Sequence, residues 1–278
     1  MYKNDISYNP ALRLHDISYC YGQSRSISES TMILNETNLT VSAGEFVSMV
    51  GPTGCGKSTL LKLCAGLLLP SSGHISVFGM PLKGINSHAG YMFQDEVLLP
   101  WLNVLENVVL GLLYRGMSVP ESDLLGKAWL IRVGLSAVAE RYPSQLSGGM
   151  RKRVALAQTL ILNPDIILMD EPFSSLDIQT RQLMENELLI LWENKRSAVL
   201  FITHDLDEAI ALADRVIVLS AGPGTHIIGE FVVPLSRPRN ITEIRLHAEF
   251  IELHHKIWNV LRDEVLKSYQ RSLSHHEQ

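Results

Sequence analysis

With 278 residues, 46% of them hydrophobic and 19% charged, the chain has material for one large core, which excludes a disordered or low-complexity protein. A formal net charge of -5 argues against a nucleic-acid binder, which would carry a basic domain or stripe. The three cysteines, Cys20, Cys55 and Cys64, are odd in number and have no framework spacing, which excludes a secreted disulfide scaffold.

Leu12 to Val41 alternates in the manner of an antiparallel hairpin, with a polar, Ser-rich loop from Gln23 to Thr31. Glu45 to Val50 is a short apolar run rich in β-branched residues, predicted as a buried strand, and Thr59 to Leu69 follows as a helix. From Val97 to Leu162 the pattern is mostly helical, with caps at Ser118-Val119-Pro120 and near Pro143-Ser144, and predicts a helical insert. Strands at Asp165 to Met169, Ala198 to Thr203 and Arg215 to Leu219 then frame a helix over Thr180 to Glu193. Beyond Pro234, Arg237-Pro238-Arg239 interrupts before a helix over Ile241 to Lys267, where Phe250, Ile257, Leu261 and Val265 recur at helical spacing. The expected architecture is an α/β fold: a mostly parallel sheet with helices, an N-terminal antiparallel β region, an inserted helical subdomain at 97–162 and a C-terminal helical appendage. The division falls near residue 235, giving units of 1–235 and 236–278.

The N-terminus lacks the charged-then-apolar layout of a signal peptide. The nearest approach to a membrane span, Val97 to Tyr114, carries Pro100, Asn103, Glu106 and Asn107, too polar for lipid. A cytosolic chain is expected, with any membrane work done through a partner. The C-terminal histidines do not make a metal set: adjacent His254-His255 cannot share a helix face, His247 has no completing ligand, and His275-His276 lie in a polar tail.

The chemistry concentrates at Gly51-Pro52-Thr53-Gly54-Cys55-Gly56-Lys57-Ser58, which fits G-x-x-x-x-G-K-[ST] between a strand and a helix opened by Thr59. Glycines let successive N–H groups point into one concavity that cradles phosphate oxygens, and the helix N-terminus adds positive potential. Lys57 supplies a charge for the β- and γ-phosphates, and Ser58 an oxygen for Mg²⁺. Asp165 to Glu171 (DIILMDE) ends an apolar strand in two carboxylates at the sheet edge where α/β proteins place ligands. Asp170 is placed to hold the Mg²⁺ shell and Glu171 to polarise the attacking water. Cys55 has no histidine to activate it and is expected to be catalytically dispensable, though a bulky thiol adduct there would block the phosphates.

Leu146-Ser147-Gly148-Gly149-Met150, followed by RKRVALAQTLIL, closely resembles the LSGGQ signature of the ATP-binding-cassette (ABC) family, with Met at the last position. Gln94 after GYMF matches that family's glutamine loop, Ser174-Ser175-Leu176-Asp177 its aspartate loop, His204 its switch histidine and Tyr21 its adenine-stacking aromatic residue. The resemblance, running from about residue 12 to about 234, implies an ATPase using ATP and Mg²⁺. In it, Ser147, Gly148 and Gly149 face the γ-phosphate bound to a second copy, so two chains sandwich two ATPs. It also implies that Gln94 offers its amide to Mg²⁺ and that His204 senses the γ-phosphate.

FQDEVLLPWLNVLENVVLGL, the LSGGM ending and IWNVLRDEV look like the nitrate/sulfonate/taurine importer group. That likeness implies an integral-membrane permease docking near Gln94 to Trp101, a solute-binding protein indirectly, a small anionic or zwitterionic cargo, and a peripheral place on the cytoplasmic face of the cell membrane. The competing class is a soluble relative of the same fold acting on nucleic acid or ribosomes. Such relatives carry long coiled coils or two cassettes per chain, and this sequence has neither.

Overall fold

The computed structural model describes residues 9–22, 31–95 and 97–276. The Ser-rich loop expected over Gln23 to Thr31 lies outside them except for Thr31. Among the described residues the β-strands and α-helices follow in chain order: β1 (Leu12–Tyr21), β2 (Thr31–Val41), β3 (Phe46–Val50), α1 (Lys57–Cys64), β4 (Ser72–Val77), β5 (Met80–Pro81), β6 (Ala89–Met92), α2 (Val104–Tyr114), α3 (Val119–Arg132), α4 (Gly148–Leu160), β7 (Ile166–Asp170), α5 (Ile178–Lys195), β8 (Ala198–Ile202), α6 (Leu206–Leu212), β9 (Arg215–Leu219), β10 (Ile227–Val232), α7 (Ile241–Ile244) and α8 (Ala248–His276).

Two sheets result. The N-terminal one is antiparallel, in the order β2-β1-β4-β5, with Leu12 opposite Val41 and Leu14 opposite Leu39. Leu12 and Leu14 are buried while Arg13 and His15 are exposed, the alternation of a sheet wetted on one face. The second sheet has the order β10-β9-β3-β8-β7-β6, parallel except for the β10–β9 pair at its edge. Strands β3, β7 and β8 are buried at every residue, as continuous Val/Ile/Leu/Phe runs require when both faces are covered. One core lies between the two sheets and includes Leu12, Val47, Leu60, Leu168 and Leu200. Another fills the opposite face beneath α4, α5, α6 and α8. A third sits inside the insert, where Leu105, Val108, Val109 and Leu112 of α2 are buried against Leu130, Leu146 and Val154.

The mostly parallel sheet, the antiparallel N-terminal region and the helical insert match the expectation. Two helices differ. The predicted helix over Thr59 to Leu69 stops at Cys64, because Gly66 turns the chain at φ +71° and approaches Gly84 so closely that a Cβ would stand 1.9 Å from its carbonyl oxygen. The helix expected over Ile241 to Lys267 is two, α7 and α8, divided at residues 245–247. Its buried stripe is Phe250, Leu253, Ile257 and Leu261, continued by the carboxylate Glu264, whereas Val265 is 39% exposed.

No helix of the described residues is long and apolar enough to cross a membrane.

Candidate functional site

Four neighbouring parallel strands deliver the site. In the order β6, β7, β8 and β3, their carboxyl ends lead to Gln94, Asp170 with Glu171, His204, and Gly51. Periodicity marks each strand, but only the sheet order makes these residues neighbours, at the edge where α/β folds bind ligands.

The loop from Gly51 to Ser58 runs from β3 into α1. Gly54 takes φ +78° and Gly56, the N-cap of α1, φ +102°. A Cβ on Gly56 would also stand 2.7 Å from Ile33 Cγ2, so both conformation and space demand glycine there. Pro52 and Thr59 are buried, whereas Thr53 and Gly54 are exposed at the bend. Lys57 is buried and folds over the loop, donating to the carbonyls of Gly51 at 2.7 Å and Pro52 at 2.9 Å. Its ammonium is thereby pinned against the loop backbone.

Ser58 Oγ donates to Asp170 Oδ1 at 3.0 Å. Burial pushes the Asp170 carboxyl up, the Ser58 hydroxyl opposes that, and neighbouring Glu171 adds to the rise. Glu171 is held at φ +47°, an uncommon conformation for a carboxylate residue, with its N–H bonded to Ile202 O at 2.9 Å. Its Oε2 is the meeting point of the site: Gln94 Nε2 lies 3.4 Å away and His204 Nδ1 3.3 Å. Gln94, Glu171 and His204 are thus brought together beside the Ser58–Asp170 pair. The oxygen donors of Ser58, Asp170 and Gln94 suit a hard divalent cation.

Further residues stabilise this cluster that sequence reasoning did not name. Thr203, just before His204, donates to buried Glu208 at 2.6 Å, and Asp205 caps α6 through the N–H groups of Asp207 and Glu208. Arg181 on α5 reaches Asp205 at 3.2 Å, Glu208 at 3.5 Å and the carbonyl of Leu176 at 3.3 Å. Buried Lys152 on α4 donates to the carbonyl of Gln94. The spacing Asp205-x-x-Glu208 before an apolar run was a legible cap signal; Arg181 and Lys152 left none.

The signature residues lie elsewhere. Ser147 caps α4 by accepting from the N–H of Met150 at 3.3 Å, and Gly148 and Gly149 open that helix. A Cβ on Gly149 would stand 3.2 Å from Leu176 Cδ2, so this glycine packs on the segment before Asp177. Asp177 is the exposed cap of α5, its carboxyl held below the ordinary value by hydrogen bonds from Thr180. Among the described residues, no hydrogen bond or ion pair joins Ser147, Gly148, Gly149 or Asp177 to the loop 51–58. Tyr21 ends β1, 45% exposed and edge-on to Tyr19 at 4.9 Å between centroids.

Cys55 lies within the loop. It is 1% exposed and burial raises its pKa, with nearby Lys57 opposing, so the thiol is a poor target for a reagent.

Fold and cluster together define a phosphate-loop ATPase. The sequence profile of the ABC transporter family matches residues 34–174. An uncharacterized ABC transporter ATP-binding protein of Methanocaldococcus jannaschii is 47% identical, over 84% of this chain and 86% of its own length. A nitrate import ATP-binding protein of Synechocystis is 43% identical, over 84% of this chain and 89% of its own. A dimeric ATP-binding cassette solved in a post-hydrolysis state with ADP and phosphate superposes with a TM-score of 0.73 at 31% identity, covering 81% of this chain and all of that one. The chain belongs to the ABC transporter family as an ATP-binding, ATP-hydrolysing subunit.

Proposed function

We propose that this subunit energises an importer, with its catalytic cycle run by two copies that sandwich two ATPs between the loop at Gly51 to Ser58 of one and the signature at Ser147 to Gly149 of the other. The observation that carries the reading is the convergence of Gln94 and His204 on Glu171 Oε2 beside Ser58 and Asp170. Glu171 accepts the proton of the attacking water, and His204 donates to the γ-phosphate and registers its departure. Lys57 exchanges its two carbonyl partners for β- and γ-phosphate oxygens. Tyr21 supplies a face for the adenine, and Asp177 a contact at the dimer seam. Ser58, Asp170 and the Gln94 amide would hold Mg²⁺, which when bound would supply positive charge beside the phosphates. The chemistry is positioning and charge stabilisation, so the useful output is conformational: ATP closes the pair and hydrolysis opens it.

The unit 1–235 carries this site and 236–278 forms the C-terminal appendage. A permease docks along Gln94 to Trp101, where Val97 and Trp101 are 58% and 68% exposed. That contact keeps the subunit peripheral, on the cytoplasmic side of the cell membrane, with a solute-binding protein acting only through the permease. The nitrate import relative and the importer-group motifs support a small anionic or zwitterionic cargo. The test is copurification: a polytopic membrane protein should be captured with the chain and should stimulate release of inorganic phosphate. A nucleic-acid-dependent ATPase without a membrane partner would overturn the reading, as would transfer of phosphate to an organic acceptor.

A further inference from the structure

The loop at Gly51 to Ser58 rests on two supports. One is β2, through the Ile33 contact with Gly56. The other is the turn after β9. A Cβ on Gly51 would stand 3.1 Å from Leu219 Cβ, and one on Gly222 would stand 3.6 Å from Cys55 Cα and 3.7 Å from Gly54 O. Residues 219–222 therefore back the bend in which Gly54 takes its positive φ.

The polar groups of that turn are held from the C-terminal helix. Glu264 Oε2 accepts the Ala221 N–H at 2.7 Å, and Arg271 donates to the Gly222 carbonyl. Residues 264 and 271 are two helical turns apart and share the face that continues the buried stripe Phe250, Leu253, Ile257 and Leu261. A carboxylate only 8% exposed is costly unless its oxygens are satisfied. Here Lys267 binds the second oxygen. Burial acts to raise the Glu264 pKa, and the bonds from Lys267 and Ala221 outweigh it, holding the group ionised. None of these residues belongs to the reacting cluster, yet they end one turn of backbone away from the phosphate loop.

We propose that Glu264 and Arg271 are positioning residues for the nucleotide: by holding Ala221 and Gly222, α8 fixes the floor beneath Gly54 and Cys55 and sets how tightly the loop grips the phosphates. This rests on the reading of Gly51 to Ser58 as the ATP site. The loop grips through several N–H groups that must point to one place, so a small shift of its floor weakens them together. Bound ATP and the transition state use the same N–H groups, so the loss falls on KM and leaves kcat.

ATPase titrations of the full chain test this. Arg271→Ala, at an exposed position near the helix end, should raise the KM for ATP about fivefold with kcat within about twofold of wild type. Arg271→Lys keeps a donor and should recover most of the affinity. Glu264→Gln keeps an acceptor for Ala221 but loses the charge, and should fall between. Lys256→Ala, on the exposed face of the same helix and paired with Glu252, should behave as wild type. An unchanged KM in Arg271→Ala overturns the proposal, as does an equal rise in Lys256→Ala or a fall in kcat at constant KM. A wild-type chain that neither binds nor hydrolyses ATP would instead overturn the reading of the loop.

Discussion

The phosphate-loop end of the site and the signature end are built differently. Lys57, Ser58, Asp170, Gln94, Glu171 and His204 are each bonded to one another or to the loop backbone within the one chain. Ser147 is occupied with its own helix, and Gly148 and Gly149 open α4 without a bond to that cluster. The reacting cluster is preorganised; the signature is a prepared surface. A helix N-terminus of this kind attracts an anion, which in the proposed two-copy arrangement would be the nucleotide of another copy.

The largest effect should come from the centre of the cluster. Glu171→Gln keeps the shape and the Gln94 and His204 contacts but removes the base, so turnover should fall by roughly a thousandfold or more while ATP binding persists. Gel filtration with ATP should then show a stable dimer; wild-type turnover would mean the wrong base is named. The next effect divides the two ends. Lys57→Ala and Ser147→Arg should each be inactive alone. Mixed, they form pairs with one site built from two intact halves, so activity should return to an appreciable fraction of wild type. No recovery would argue that both halves of a site come from one chain.

A smaller effect concerns the supports of the cluster. Glu185 on α5 is fully buried beside Arg245, and burial pushes its carboxyl up to about 8, with Glu208 adding to the rise and Arg245 opposing. Its folded-state pKa therefore lies above the unfolded one. The native chain keeps a proton that the unfolded chain releases, so this stability is full in acid and is lost as pH rises toward 8. Thermal unfolding at about pH 5.5 and 8.5 should show wild type losing on the order of 1–2 kcal/mol that Glu185→Gln does not lose. Equal slopes in the two proteins would place the titration elsewhere. The smallest effect is kinetic: native Cys55 should react with maleimide much more slowly than the same thiol in the denatured chain, because it is buried with a raised pKa.

The contrast also explains what could be read without coordinates. Short apolar runs ending in Gly51, Asp170 and His204 are local patterns, so the strands and the loop were legible from the residues alone. The arrangement of Gln94, Glu171 and His204 about one oxygen was not, since it depends on β6, β7 and β8 lying side by side. The leucines after Cys64 mimic a continuing helix, and only the approach of Gly66 to Gly84 reveals the turn. Glu264 escaped for the opposite reason: a carboxylate breaks an apolar stripe, and its partner Ala221 contributes only a backbone N–H, which leaves no trace in a side-chain pattern.

One buried ammonium has a consequence for how such a machine is driven. Lys152 ties the carbonyl of Gln94 to α4, the helix that Ser147 begins. If a permease docks as proposed, a push delivered to the surface around Trp101 would not stay with the glutamine, because the tether joins it to α4. In the proposed two-copy arrangement that push would be felt at both reaction centres, since the tip of α4 would serve the neighbouring copy's nucleotide.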